Sequence, residues 1–183
     1  MRQVTVDTHI SAPREEVYDF VADLAGRPAY TDHYLEDYRL ARLDPVGEGA
    51  AARFKVRGQW AELSIRDADR PRRIVEEVRW GRRGRNRSVA VYDFSPEPGR
   101  TTHVELTTLS EPATLVDRLH EVGAARWIRR NSTTALERLR MIFEEPPDAP
   151  LARATVAGYE PAKAPRFGAP TGMDPARPRQ LGQ

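Results

Sequence analysis

The chain of 183 residues contains no cysteine. Disulfide bridges, cysteine-bound zinc, iron–sulfur clusters and thiol catalysis are therefore excluded. The sequence also lacks any apolar run of about 18 residues, the length that a membrane-spanning helix needs. Its first residues, MRQVTVDTHISAP, include no apolar stretch of the kind found in signal peptides. We therefore expect a cytoplasmic protein without a transmembrane segment.

Lysine is almost missing, since only Lys55 and Lys163 occur among 29 basic residues. The 27 acidic residues reduce the formal net charge to +2. This balance, with 39% hydrophobic residues, is typical of a globular protein rather than a disordered chain. Nucleic acid is not an expected partner. The arginine-rich loop between Arg79 and Arg87 is interpreted as a solvated hairpin, with phosphate binding as the alternative.

Proline divides the chain in two. Eight of the 15 prolines come after residue 144, where few apolar residues recur at a regular spacing. Such a segment buries too little surface to offset the entropy lost on ordering. We predict a folded domain over residues 1–144 and a disordered Pro-, Ala- and Arg-rich tail over 145–183. The tail is the predicted site for a protein partner or a homodimer contact.

The N-terminal third of the domain predicts one strand followed by two short helices. Alternation in QVTVDTHI is typical of a half-buried strand. Ser11 is a candidate helix cap, and Pro13 suits a first helical turn. Gly26 is expected to end this helix, and Pro28 to start a second, short one.

The rest of the domain predicts a sheet and a final helix. Alternating apolar residues between turn signals predict six strands of an antiparallel meander with one solvated face. Three- and four-residue steps from Thr114 to Glu144 predict a long amphipathic helix, with Gly123 as a candidate break. The sheet needs a cover, and only this helix is long enough. The predicted class is α+β: a curved, seven-stranded antiparallel sheet wrapped around a long C-terminal helix, with a cavity between them.

Three stretches of the sequence resemble the START/Bet v 1-like superfamily, also called SRPBCC or the helix-grip fold. They are THISAPREEVYDFVADLAGRPAYTD, VAVYDFSPEPGRTTHVEL and ARWIRRNSTTALERLRMIFE. The resemblance covers roughly residues 2–144 and is greatest to bacterial polyketide cyclase/dehydrase and lipid-transport proteins. Tyr30 and His33 stand where the family often has tryptophan. The resemblance implies a helix-grip fold with a cavity for a small hydrophobic molecule. It selects no single activity, because the superfamily includes carriers, aromatases/cyclases, toxins and chaperone activators.

Catalytic residues have to be sought inside the predicted cavity, because no nucleophile, metal or nucleotide motif is present. Strand alternation places Glu76 on one face with Val78 and Trp80. There its carboxyl group would act as an acid or base, or would pair with a nearby arginine, which the arginine-rich composition favours. Tyr92, through its hydroxyl, and His33, near the predicted entrance, complete the catalytic candidates.

A second group of side chains is predicted to line the cavity and bind the ligand. It consists of Tyr30, Phe54, Trp80, Phe94, Leu106, Trp127 and Asn131. Trp60 has the opposite parity to Leu63 on the same predicted strand and is therefore expected to face outward. The four histidines show no helical i, i+4 or strand i, i+2 spacing. Neither a metal site nor a cofactor is therefore expected.

Three functions follow, in order of preference. The first is binding of a small hydrophobic or aromatic molecule of the lipid, polyketide or isoprenoid type. The second is a polyketide aromatase/cyclase-like enzyme, with a cyclase/dehydratase activity that uses polar cavity residues. The third is an interaction protein that acts through the C-terminal tail.

Overall fold

The computed structural model describes residues 2–81, 84–111, 115–145, 147–148, 150–151 and 153–157, with the backbone alone at 2 and 115–122. The elements along the chain are β1 Arg2–Ile10, α1 Arg14–Ala22, α2 Pro28–Thr31, β2 Glu36–Leu40, β3 Ala51–Val56, β4 Gln59–Asp69, β5 Arg73–Trp80, β6 Asn86–Glu97, β7 Thr101–Glu111 and α3 Leu115–Glu144. No helix in the described part of the chain is long and apolar enough to cross a membrane.

All seven strands form one antiparallel sheet in the order β1-β7-β6-β5-β4-β3-β2. Strands β2 to β7 form a meander, and β1 joins it beside β7. Helices α1 and α2 carry the chain from β1 at one edge to β2 at the other. The predicted α+β helix-grip fold, with a seven-stranded sheet and a long C-terminal helix, is confirmed.

The hydrophobic core lies between the concave face of the sheet and the helices. On the helix side, Val17 and Val21 of α1 and Leu139 of α3 are fully buried. On the sheet side, Ile74 and Val104 are equally inaccessible. The apolar alternation of the strands and the apolar stripes of α1 and α3 therefore meet in one interior.

Three details of the helices differ from the sequence prediction. Helix α1 ends at Ala22, before the chain reaches Gly26. The residue before α1 is Pro13, and no side chain caps this helix. Ser11 instead donates from its amide and its hydroxyl to a carboxylate oxygen of Glu144, at 3.2 and 3.0 Å, and so links the start of α1 to the end of α3. Helix α3 continues through Gly123. A single glycine costs a helix only about 1 kcal/mol, too little to end one of this length.

Residues 153–157 lie against the folded domain. The Ala154 amide donates to the Ala25 carbonyl at 2.8 Å, and the Leu40 amide donates to the Thr155 carbonyl at 2.9 Å. Arg153 pairs with Asp23, and the Ala154 side chain is buried. This part of the chain therefore runs beside β2. Residues 158–183, which make up most of the predicted tail, lie outside the described residues.

Candidate ligand-binding site

The register of the sheet brings Glu76 and Tyr92 to the concave face. Glu76 on β5 lies opposite Ala90 on β6, and Tyr92 on β6 lies opposite Ile74 on β5. Tyr92 also lies opposite Leu106 on β7. Because alternate residues of a strand point to the same side, these five side chains share one face.

Glu76 forms a buried ion pair with Arg27. The Glu76 side chain is 2% exposed and that of Arg27 4%. Arg27 Nη1 donates to Glu76 Oε2 at 3.2 Å, and Arg27 Nη2 donates to Glu76 Oε1. Both carboxylate oxygens are therefore engaged by one guanidinium group. The structure shows the ion-pair alternative for Glu76, with the partner supplied by the segment between α1 and α2.

Arg27 is held from several sides. Its Nη2 also donates to the Val21 carbonyl at 3.2 Å, and its Nη1 donates to the Tyr92 hydroxyl at 3.1 Å. The guanidinium carbon lies 5.6 Å from the ring centroid of Tyr30 and 5.5 Å from that of Tyr92, within the range of cation–π attraction. Burial lowers the pKa of Arg27, but Glu76 raises it, and the net pKa is well above the usual value. Arg27 is therefore a fixed buried cation.

Two polar atoms beside this ion pair have no hydrogen-bond partner among the described residues. They are the Tyr30 hydroxyl and Arg27 Nε, both buried. Burial raises the pKa of Tyr30 despite the opposing effect of Arg27, so the hydroxyl keeps its proton. Buried polar groups are ordinarily paired. Both atoms are thus buried donors without an acceptor in the described part of the chain.

Burial along the concave face changes from one end of three adjacent strands to the other. At the closed end, the side chains are buried: Ile74 and Glu76 on β5, Tyr92 and Phe94 on β6, Val104 and Leu106 on β7. At the open end, they are only half-buried: Val78 and Trp80 on β5, Ser88 and Ala90 on β6, Thr108 and Ser110 on β7. The open end is therefore a partly exposed surface of apolar groups and hydroxyls.

His33 belongs to a different group, at the junction of α2 and α3. His33 Nε2 lies 3.2 Å from the Asn131 carbonyl, and the His33 ring contacts Tyr34. Tyr34 in turn contacts Trp127 at 5.8 Å between ring centroids. Burial lowers the pKa of His33. In the described part of the chain, no hydrogen bond, ion pair or ring contact joins His33 to Glu76, so the three catalytic candidates are not assembled.

Comparison with known proteins identifies the family. A family model described as polyketide cyclase/dehydrase and lipid transport matches residues 1–144. The chain belongs to this family. No curated protein matches it.

Solved structures show the same fold as this cyclase/dehydrase-family chain. TTHA0849 from Thermus thermophilus is 22% identical with a TM-score of 0.57, over 76% of this chain and 94% of that one. MLL2253 from Mesorhizobium loti is 14% identical with a TM-score of 0.59, over 78% and 97%. Protein jhp0584 from Helicobacter pylori is 7% identical with a TM-score of 0.65, over 78% and 88%. The architecture is shared although the sequences have diverged.

The residues predicted to bind the ligand fall into three places in this family member. Tyr30, Phe54, Phe94 and Leu106 are buried in the core. Trp80 is at the open end. Trp127 and Asn131 are half-buried on α3, where Asn131 Nδ2 donates to the Trp127 carbonyl at 2.8 Å. Trp60 faces outward, as expected from its parity, and is 44% exposed.

A depression of about 510 Å³ lies on the outer face of the sheet, away from this site. Its charged wall includes Arg39, Arg42, Arg53, Glu62 and Arg66. Such a wall favours an anion over an apolar molecule. The concave face is therefore the better candidate for the family's type of ligand.

Sequence reasoning did not identify Arg27 as a site residue. The arginine-rich composition predicted a cationic partner for Glu76, but 49 residues separate the two. The local signal was the placement of Arg27 between Gly26 and Pro28, which ties it to the connection between two helices. Choosing it among the many arginines requires knowing where that connection crosses the sheet.

Proposed function

We propose that this protein binds a small, mainly apolar molecule of the lipid, polyketide or isoprenoid type on the concave face. The supporting observation is the change in burial along β5, β6 and β7. At the open end, Val78, Trp80 and Ala90 keep apolar surface partly exposed. Covering such surface contributes about 25 cal/mol per Å². An apolar molecule that lies there would complete the burial that the core achieves at the closed end.

The polar atoms next to the ion pair support a ligand with one oxygen-bearing end. The Tyr30 hydroxyl and Arg27 Nε are donors without partners among the described residues. A carbonyl or carboxylate oxygen that reaches the closed end would accept from them. Few but fixed polar groups in an apolar site are typical of small-molecule recognition.

Binding is preferred to catalysis because two of the candidate acid–base groups are hydrogen-bonded to Arg27 and the third lies elsewhere in the fold. Both oxygens of Glu76 accept hydrogen bonds from Arg27. The Tyr92 hydroxyl accepts from the same guanidinium group. His33 lies at the junction of α2 and α3. A cytoplasmic location and a homodimer or protein contact through the tail stay predictions.

The test is titration with N-phenyl-1-naphthylamine, a neutral fluorescent probe that the outer arginines do not attract. Ala90→Trp fills the open end, whereas Val89→Trp makes the same enlargement on the outer face of the same strand. We expect the wild type and Val89→Trp to bind alike and Ala90→Trp to bind roughly tenfold or more weakly. Near-UV circular dichroism checks that both variants keep the native packing.

Equal probe binding by all three proteins would overturn the proposal, as would no binding up to the solubility limit of the probe. A second substitution, Ala90→Leu, keeps the test meaningful if Ala90→Trp fails to fold. Native mass spectrometry of the purified chain then identifies a co-purifying molecule. An apolar compound lost in Ala90→Leu is the expected result.

A further inference from the structure

Two histidines face each other on the outer side of the sheet, opposite the ligand-binding face. His9 on β1 is directly paired with His103 on β7. Their ring centroids are 4.8 Å apart, and the rings are stacked with an angle of 27° between their planes. The side chains are 56% and 29% exposed, respectively. Helical or strand spacing along the sequence does not reveal this pair, because β1 and β7 are far apart along the chain although they are neighbours in the sheet.

A carboxylate lies at each end of the histidine pair. His103 Nε2 is 3.3 Å from Asp7 Oδ2, and His9 Nδ1 is 2.8 Å from Glu97 Oε2. The coordinating atoms of Asp7, His9 and His103 all lie within 4.8 Å of one another. Imidazole nitrogens with carboxylate oxygens form a donor set suited to zinc and neighbouring transition metals.

The neighbouring row of side chains concentrates negative charge. Glu105 on β7 lies directly between Asp7 on β1 and Asp93 on β6. Like charges directly opposite each other destabilise a sheet. Arg73 pairs with Asp93 at 2.6 Å, but no described residue forms a salt bridge with Glu105. The resulting negative potential favours a cation beside the histidines.

We propose that Asp7, His9 and His103 bind a divalent transition metal ion such as Zn²⁺ on the outer face, beside Glu97, which contacts His9. Zinc–nitrogen bonds are about 2.0–2.1 Å long, so the side chains must close around the ion. Their partial exposure allows these side chains to adjust their positions. The same exposure admits water as a further ligand and makes the ion exchangeable. A bound ion would link the edge strand β1 to β7.

Isothermal titration of the untagged, chelator-treated chain with ZnCl₂ tests this proposal, at slightly alkaline pH where imidazole is neutral. We expect one ion per chain. His9→Ala and His103→Ala should each weaken binding about tenfold or more, since even groups that only support a ligand are worth that much. His33→Ala removes a histidine outside the cluster and is the matched control.

A second readout is the thermal unfolding midpoint, which zinc should raise in the wild type and in His33→Ala but not in His9→Ala/His103→Ala. Because the substituted side chains lie on the outer face of the sheet and not in the core, circular dichroism should show unchanged folds. Absence of zinc binding would overturn the proposal. So would zinc binding of unchanged strength in both single histidine variants, which would mark adventitious binding elsewhere on the surface.

Discussion

Glu76 and Glu77 are neighbours on β5, but arginines hold them in opposite ways on the two faces of the sheet. Both side chains are almost fully covered, at 2% and 4% exposure. Among the described residues, Glu76 pairs with Arg27 alone, which is itself buried. In the same part of the chain, Glu77 pairs with three half-exposed residues: Arg66, Arg79 and Arg87. Glu76 therefore depends on a single buried cation, whereas Glu77 is neutralised by several solvated arginines that can replace one another.

The difference shows where an ion pair is costly to break. In the interior, loss of one partner leaves a charge that neither water nor a neighbour compensates. On the outer face, the remaining arginines and water replace the lost one. Arg79 and Arg87 also flank the arginine-rich loop, so two of its cations have a structural partner in Glu77.

The largest expected effect is that of Arg27→Met, which leaves Glu76 buried without a partner. We predict a loss of about 3–5 kcal/mol in the free energy of unfolding. Arg66→Met on the outer face should cost about 1 kcal/mol or less. Urea unfolding followed by circular dichroism measures both. The double variant Arg27→Met/Glu76→Leu should recover most of the loss, and equal losses for the two single variants would contradict the comparison.

Tyr92→Phe tests whether the buried pair depends on a third group. Its hydroxyl accepts a hydrogen bond from the charged Arg27 at 3.1 Å, and such bonds contribute about 1.5–3 kcal/mol. Tyr38→Phe is the control, because the Tyr38 hydroxyl donates to the neutral Leu24 carbonyl at 3.0 Å and should contribute about 1 kcal/mol. If thermal unfolding ranks Tyr38→Phe as the more damaging change, the charge of Arg27 is not what matters.

Glu77 should make the free energy of unfolding depend on pH. Burial raises the pKa of Glu77, but hydrogen bonds from Arg79 and Arg66 outweigh it and hold the pKa below its usual value. A lowered folded-state pKa means that the stabilisation is present above the unfolded-state pKa and is lost as pH falls through the folded-state value. The free energy of unfolding should therefore decrease less steeply on acidification in Glu77→Gln than in the wild type. If the free energy of unfolding depends on pH in the same way in both proteins, Glu77 does not have this role.

The smallest expected effect is the response to salt. At 1 M salt the screening length is about 3 Å, which weakens exposed pairs. The cost of Arg79→Met, about 0.5 kcal/mol at low salt, should fall toward zero in 1 M NaCl. The cost of Arg27→Met should not change, because its pair is buried. Urea unfolding of both variants at low salt and in 1 M NaCl measures the two costs. An equal change with salt in Arg79→Met and Arg27→Met would contradict the prediction.

The sequence predicted those parts of the site that depend on local geometry. The alternation of side chains along a strand is local, so Glu76 was placed correctly on one face with Val78 and Trp80. Trp60 was placed on the other face for the same reason. Periodicity likewise predicted α3, because its apolar stripe repeats within one element.

Contacts between distant segments could not be predicted in this way. Arg27 reaches Glu76 because of the path that α1 and α2 take across the sheet, and no local pattern records this path. His9 meets His103 through the register of β1 on β7. Ser11 looked like a helix cap, but it bonds to Glu144 because the two ends of the domain come together.

The segment that runs beside β2 bears on how the protein should be handled in solution. The family match ends at residue 144. A chain shortened there would leave the Leu40 amide without the Thr155 carbonyl and would expose an edge strand to pairing with another molecule. Retaining residues 145–157 should therefore keep the protein monodisperse, and shortening it should promote self-association.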